Sequence, residues 1–467
     1  MHTNGGASAS AAIGPLTVSA ANPRYLARPD GTPVYLSGSH TWAVLQDGGP
    51  EWPPAPLDWE RFLATIVEYG HTFVRLWTWE HPRWASWWEG DYYFDPVPWE
   101  RTGPGTAQDG RARFDLTRVS GAWLERLHHR VATALDAGIY ASVMLFQGWS
   151  AGPKPEPWVG CDNPWRSHPF HLENNVNGVD GSAHDKAGHD AVHTLSCTTV
   201  LELQERFVKV VVDAVNEFPN VLYEIGNEHD GSAENTRWQH HMIDVVHEYE
   251  RAHKPLQHPV FMSAQWPHPD NRALFESPAD VIAPFAWRGQ EDERWEYEPP
   301  SRHTGKVVFL DTDHLWGVGG TVDWVWRSFT RGYQPLYMDP WGFDHMDPLA
   351  PAGNEEVRRA LGAACRLAAE LDLATMVPRP DVVSTGFALY DGGRVALLYQ
   401  PYEDRMCVDL GRSLDGVVVE WRDLVDDSKR AVGTIRLTGP SSGLLSPPWP
   451  GPALALLTLA GTDGELS

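Results

Sequence analysis

Over the first three-quarters of the chain, eight short β-rich runs alternate with longer amphipathic stretches, and this recurrence constrains the fold more than any other feature. The runs are PVYLSGSHTW from Pro33, HTFVRLWTWE from His71, IYASVMLFQGW from Ile139, VLYEIGNEHD from Val221, PVFMSAQW from Pro259, DVIAPFAW from Asp280, KVVFLDTDHLW from Lys306 and PLYMDPW from Pro335. Neighbouring parallel strands need a long crossover, usually a helix, and repeated strand–helix alternation is the pattern expected of a parallel sheet, so an α/β fold is predicted. Eight such units over this length predict a (β/α)8 TIM barrel, whose functional groups sit at the C-terminal strand ends.

Helices are expected between the runs. Asp58 can cap a segment carrying Phe62, Ile66 and Tyr69 and stopped by Gly70, and Leu124, Leu127, Val131 and Leu135 form a stripe ending at Gly138. Further helices are expected near 198–218, 235–253, 321–332 and 354–371. Beyond about Val377 the texture changes to short β runs separated by Gly, Asp and Pro, which predicts a C-terminal antiparallel β-sandwich. The expected division is a segment 1–32, a barrel 33–375 and a sandwich 376–467. Two connections, 81–115 and 148–197, are too long to be turns and read as walls or lids rich in Trp, including Trp84, Trp87, Trp88, Trp149, Trp158 and Trp165.

Acidic residues outnumber Lys and Arg by 62 to 37, a balance that opposes binding to nucleic acid or to an anionic membrane surface and favours a neutral partner. No stretch approaches the roughly 20 apolar residues needed to span a bilayer, and the first residues lack the pattern of a signal peptide, so a cytoplasmic protein is expected. Cys161, Cys197, Cys365 and Cys407 are scattered without CxxC spacing, which points to neither disulfides nor a zinc site. No cofactor is expected, and the oligomeric state stays open.

The polar strand ends carry the chemistry. In VLYEIGNEHD, period-2 alternation puts Glu224, Gly226 and Glu228 on one side, with Glu228 at the rim. A carboxyl there, against Trp rings and beside Asn227, can have its pKa raised enough to donate a proton near neutral pH, whereas Glu224 reads as a structural partner of a barrel arginine. The seventh run supplies Asp311 and Asp313 across the mouth. Opposed carboxylates, one protonated and one ionised, are what acid-assisted cleavage of a glycosidic bond requires. Asp311 is placed ahead of Asp313 as the second catalytic group, the other bracing a loop. Arg75 can hold an acidic neighbour ionised. His40, Glu80, His81, Trp149, Trp287, His314, Asp339 and Trp341 also fall at strand ends, and as a set they suit a sugar ring.

These residues resemble a family. YEIGNEHD is similar to the fourth-strand end in the clan of retaining glycoside hydrolases built on the (β/α)8 barrel, and NPRYLARPDGTPVYLSGSHTWAVLQD resembles the start of its bacterial apiosidase-like (DUF4038-type) members. The resemblance implies an N-terminal strand covering the barrel and a C-terminal β-sandwich of the kind named for collagen binding. It implies that Asn227 contacts a 2-hydroxyl, that Glu228 is the acid/base, that Arg75 is the second-strand arginine and that Trp341 is an eighth-strand platform. The chain departs from the clan at the seventh strand, where Asp stands in place of Glu. One methylene fewer widens a retaining gap of about 5 to 5.5 Å toward the roughly 6.5 Å that admits a water.

Two rival readings are a metal-dependent hydrolase, using DTDH with His168, His171, His184, His189 and His193, and a non-catalytic carbohydrate-binding protein. A single His on the first strand and none on the fifth speak against the first, and Asn227-Glu228 opposed to an Asp speaks against the second. The long connections imply a deep pocket and exo cleavage of a glycan or glycoside.

Overall fold

The computed structural model describes residues 14–85, 91–151, 164–182, 190–266, 269–286, 294–301, 305–340, 354–402, 405–425, 430–437 and 443–459. Its barrel strands are β1 (Gly38–His40), β2 (Phe73–Leu76), β3 (Tyr140–Gln147), β4 (Val221–Asn227), β5 (Val260–Ser263), β6 (Val281–Ala283), β7 (Val307–Asp311) and β8 (Gln334–Met338). They form one eight-stranded sheet in the order β1-β8-β7-β6-β5-β4-β3-β2, every pair parallel. The two edges meet where Thr72 donates its N–H to the Ser37 carbonyl at 2.9 Å. A Cβ at Gly38 would overlap the Phe73 carbonyl, so only glycine lets β1 come this close to β2.

Among the described residues, seven α-helices accompany these strands: α1 (Trp59–Tyr69), α2 (Gly121–Asp136), α3 (Thr198–Val215), α4 (Ala233–His253), α5 (Asn271–Glu276), α6 (Val322–Phe329) and α7 (Glu355–Glu370). Their starts are chemical: the side chains of Asp58, Ser120, Ser232 and Thr321 each accept a first-turn backbone N–H. Helix α5, one and a half turns long, falls below what hydrophobic periodicity can reveal.

Alternation along the strands separates two cores. Phe73, Leu222, Phe261, Phe309 and Leu336 point into the barrel at one level and pack against Leu16, Leu26 and Val34. Residues one position away, such as Val74, Tyr223, Ile225, Val308 and Leu310, face the helices. Leu26 and Val34 belong to a small antiparallel sheet of Thr17–Val18, Leu26–Ala27 and Pro33–Val34. This sheet closes the end of the barrel where the strands begin, opposite their polar ends. The run from Pro33 is therefore divided: its first two residues belong to that floor and Gly38–His40 to the barrel wall.

The first long connection carries more strand than its composition indicates. Asp91–Asp95 pairs with Asp47–Gly49 on one side and Arg83–Ala85 on the other, and Trp99–Thr106 pairs with Ala112–Val119. At the C-terminal side, a six-stranded antiparallel sheet faces a two-stranded one made of Met406–Val408 and Gly443–Leu445, giving a β-sandwich with its own core. Phe387, Leu397, Tyr399 and Leu454 continue the helix-side core of the barrel, and the Trp326 indole on α6 donates to the Leu424 carbonyl at 3.1 Å.

Candidate active site

Above the apolar floor, the next inward position on β2 is Arg75, fully buried. Its Nε lies 3.1 and 2.9 Å from the two Glu224 oxygens, and one Nη donates to Glu224 at 2.5 Å and to Asn227 Oδ1 at 2.6 Å. The other Nη donates to Asp311 Oδ2 at 3.1 Å and stands 3.6 Å from Asp313 Oδ2. One guanidinium thus ties β2, β4 and β7 together across the barrel interior. Trp77, two residues further along the same face, lies under it with its ring centroid 4.6 Å from Cζ.

Asp311 is saturated. The Trp77 indole donates to His40 Nδ1 at 2.9 Å, so Nε2 carries the imidazole hydrogen and donates it to Asp311 Oδ1 at 3.0 Å. The same oxygen accepts the Asp313 N–H at 2.9 Å, while Oδ2 takes Arg75. Burial alone would raise this carboxyl, but His40 and Arg75 outweigh it and hold it well below the usual carboxylate range.

Asp313, two residues on, is the opposite case. Burial, followed by the charge of Asp311, pushes its carboxyl up to about 6. The single guanidinium of Arg75 already serves Glu224 and Asp311, so an ionised Asp313 adds a buried negative charge that it does not offset. Asp313 also retains some exposure, with 9 % of its side chain accessible against none for Asp311. His314 is pushed down to about 3 by burial, so it is neutral; its Nε2 donates to Asn227 Oδ1 at 2.9 Å. With Oδ1 engaged by Arg75 and His314, the Asn227 amide NH2 is left to face Asp313.

Glu228 follows directly. Among the described residues it is the only non-glycine with a positive φ, +48°. The left-handed conformation costs a side-chain-bearing residue roughly 1–2 kcal/mol, and it turns Glu228 out of the alternation that governs β4. Gly148, past the end of β3, makes room for this turn, since a Cβ there would overlap the Glu228 carbonyl. From the other side, the Trp266 N–H holds the His229 carbonyl at 2.8 Å.

The remaining candidates divide. Trp149 packs against Trp84 and Trp266 with ring centroids 5.6 and 5.2 Å away, forming one aromatic wall beside the strand ends. Glu80 is buried and accepts the Gln147 N–H at 2.9 Å, with His193 and His168 3.3 and 3.6 Å away. His81 bonds Ser150 at 2.6 Å. Asp339 is gripped bidentately by Arg358 of α7 at 2.7 and 2.6 Å, which directs it to the helix layer. Trp287 and Trp341 lie outside the described residues, as do His184 and His189. Trp77 and Gly148 were not singled out from the sequence; Trp77 was findable, because it continues the Phe73, Arg75 alternation. Among the described residues, no group of three or more His, Cys, Asp or Glu is arranged to hold a metal ion. No helix among them is long and apolar enough to cross a membrane.

No family model and no curated relative matches the sequence. Among solved structures, one described as a glycoside hydrolase superposes with a TM-score of 0.58 at 13% identity, over 96% of this chain and 97% of its own. A glycoside hydrolase family 5 protein from Bacteroides vulgatus does so with a TM-score of 0.58 at 12% identity, over 96% and 94%. The chain therefore shares its fold, over nearly its whole length, with these two proteins.

Proposed function

We propose that the protein is a glycoside hydrolase in which Glu228 is the acid/base and Asp313 the ionised partner. The observation that carries this reading is the division of labour around Arg75: Asp311 is saturated and sunk, while Asp313, beside it, is partly exposed and has a raised pKa. A carboxylate with every oxygen engaged is a poor nucleophile or base, so we place Asp313 ahead of Asp311 and give Asp311 the task of fixing Arg75, His40 and the Asp313 main chain. At neutral pH Asp313 is largely ionised. Glu228 donates its proton to the glycosidic oxygen as the bond to the anomeric carbon breaks. Asp313 then either attacks that carbon or takes a proton from the water that does, and the anomer of the first product distinguishes the two. The Asn227 amide is positioned to donate to a sugar hydroxyl, and the Trp149–Trp266 wall offers an apolar face to the ring.

Fold likeness to glycoside hydrolases supports this class of substrate. The two long connections support a closed-off pocket and exo cleavage. The test is a panel of aryl glycosides, pentofuranosides included, with product anomers followed by NMR. Glu228→Gln is expected to lower kcat/KM on poor leaving groups by about 10²–10⁴-fold; unchanged turnover would overturn the acid/base assignment. Cleavage of a polymer first in its interior would overturn the exo mode.

A further inference from the structure

The left-handed turn at Glu228 must be held by something, because the backbone alone disfavours it. Two routes of contact converge on it, and both start from Glu80. Along the first, Glu80 Oε2 accepts the Gln147 N–H at 2.9 Å, which fixes the end of β3 immediately before Gly148, the residue whose main chain abuts the Glu228 carbonyl. Along the second, His193 Nε2 lies 3.3 Å from the same carboxylate, and the His193 ring packs edge-on against His229, with centroids 4.6 Å apart. His229 is the residue after Glu228. Both of its ring nitrogens are buried with no hydrogen-bond partner among the described residues, so only packing fixes the ring.

Burial by itself would raise Glu80, but His168 and His193 overcome it and keep the carboxyl ionised. The cluster does not have the chemistry of a metal site: His168 Nδ1 accepts the Phe170 N–H at 3.1 Å, so Nε2 carries the hydrogen, and it is Nε2 that faces Glu80 at 3.6 Å. His168 and His193 both come from the long connection after β3, and the His193 carbonyl is bonded by Asn235 of α4 at 3.1 Å.

We infer that Glu80 and His193 are positioning residues for Glu228: the Glu80 carboxylate anchors the third connection to the barrel rim and, through Gln147–Gly148 on one side and His193–His229 on the other, sets the conformation of the proton donor. This rests on the acid/base reading of Glu228. The test uses aryl glycosides of graded leaving-group acidity on the full-length protein. A displaced proton donor hurts only reactions that need the proton, so Glu80→Ala is expected to lose roughly 10²-fold on poor leaving groups, the scale of a 1 Å misplacement. On dinitrophenyl glycosides it should lose no more than about 3-fold, and Glu80→Gln, which keeps an acceptor for Gln147, should recover part of the loss. Equal loss across all leaving groups, or no loss, overturns the inference. Should Glu80→Ala not fold, Glu80→Gln and His193→Gln carry the same comparison. If Glu228→Gln itself shows no dependence on leaving group, the acid/base reading has failed, and a crystal structure of the Glu80 variant decides alone: Glu228 still at φ near +48° against an unmoved Gly148 overturns the positioning role, and a relaxed φ supports it.

Discussion

Asp311 and Asp313 stand two residues apart with opposite electrostatics, and replacing each by Asn should move stability in opposite directions. Asp311 is ionised and holds Arg75 and His40; Asp311→Asn leaves a buried guanidinium short of a partner and is expected to cost about 3–5 kcal/mol. Asp313 has a folded pKa raised from 3.8 to about 6. The folded state binds that proton more tightly than the unfolded chain, so its contribution is most favourable below the unfolded value and is lost as pH rises through about 6. Asp313→Asn should therefore raise Tm by roughly 1–3 °C at pH 7.5, with the gain vanishing near pH 4, while turnover falls at least about 10³-fold. Melting curves at the two pH values check both variants. In the wild type, kcat/KM should fall as pH drops below about 6, where Asp313 takes up its proton. Arg75, His40, Asn227, Asp311 and His314 were legible as neighbours because all of them fall at or near the polar strand ends; alternation alone would have turned Asn227 away from Glu224. The ordering of the two aspartates was not legible, since it depends on the Trp77–His40 bond and on the number of acids Arg75 serves. Asp339 was misleading for a similar reason: its partner Arg358 lies 19 positions away on α7.

At the scale of elements, the junction of β3 and β4 sets the geometry of the mouth. Gly148 is the most sensitive position there that carries no functional group. Gly148→Ala introduces a methyl where the Glu228–His229 peptide lies, and it should cut kcat about 10²-fold with KM nearly unchanged. Steady-state kinetics beside a circular-dichroism melt distinguish this from unfolding. Capped helices were easy to read from sequence: Asp58 and Gly70 bracket α1 as expected. The strands of the first long connection were not read, although RFDLTRV alternates, because Gly-Pro-Gly and charged residues between the runs masked the hairpin.

At the scale of the whole molecule, the barrel and the sandwich share apolar contacts. Removing residues 376–467 would bare the surface against which Phe387, Leu397, Tyr399 and Leu454 pack, and the truncated chain is expected to be insoluble, as expression and fractionation would show. The alternation of strands and helices made the barrel legible, and the change of texture beyond Val377 the sandwich; that the run from Pro33 serves both floor and wall was invisible, since both uses ask for the same apolar residues. The floor also has a consequence for biogenesis. Leu26 leaves the ribosome early, but Leu336 of β8, in the same apolar cluster, follows 310 residues later, an interval of about 15 to 60 s at ordinary rates of synthesis. Until then the nascent barrel has an open base, and chaperone occupancy of a translating chain should peak before β8 emerges and drop after it.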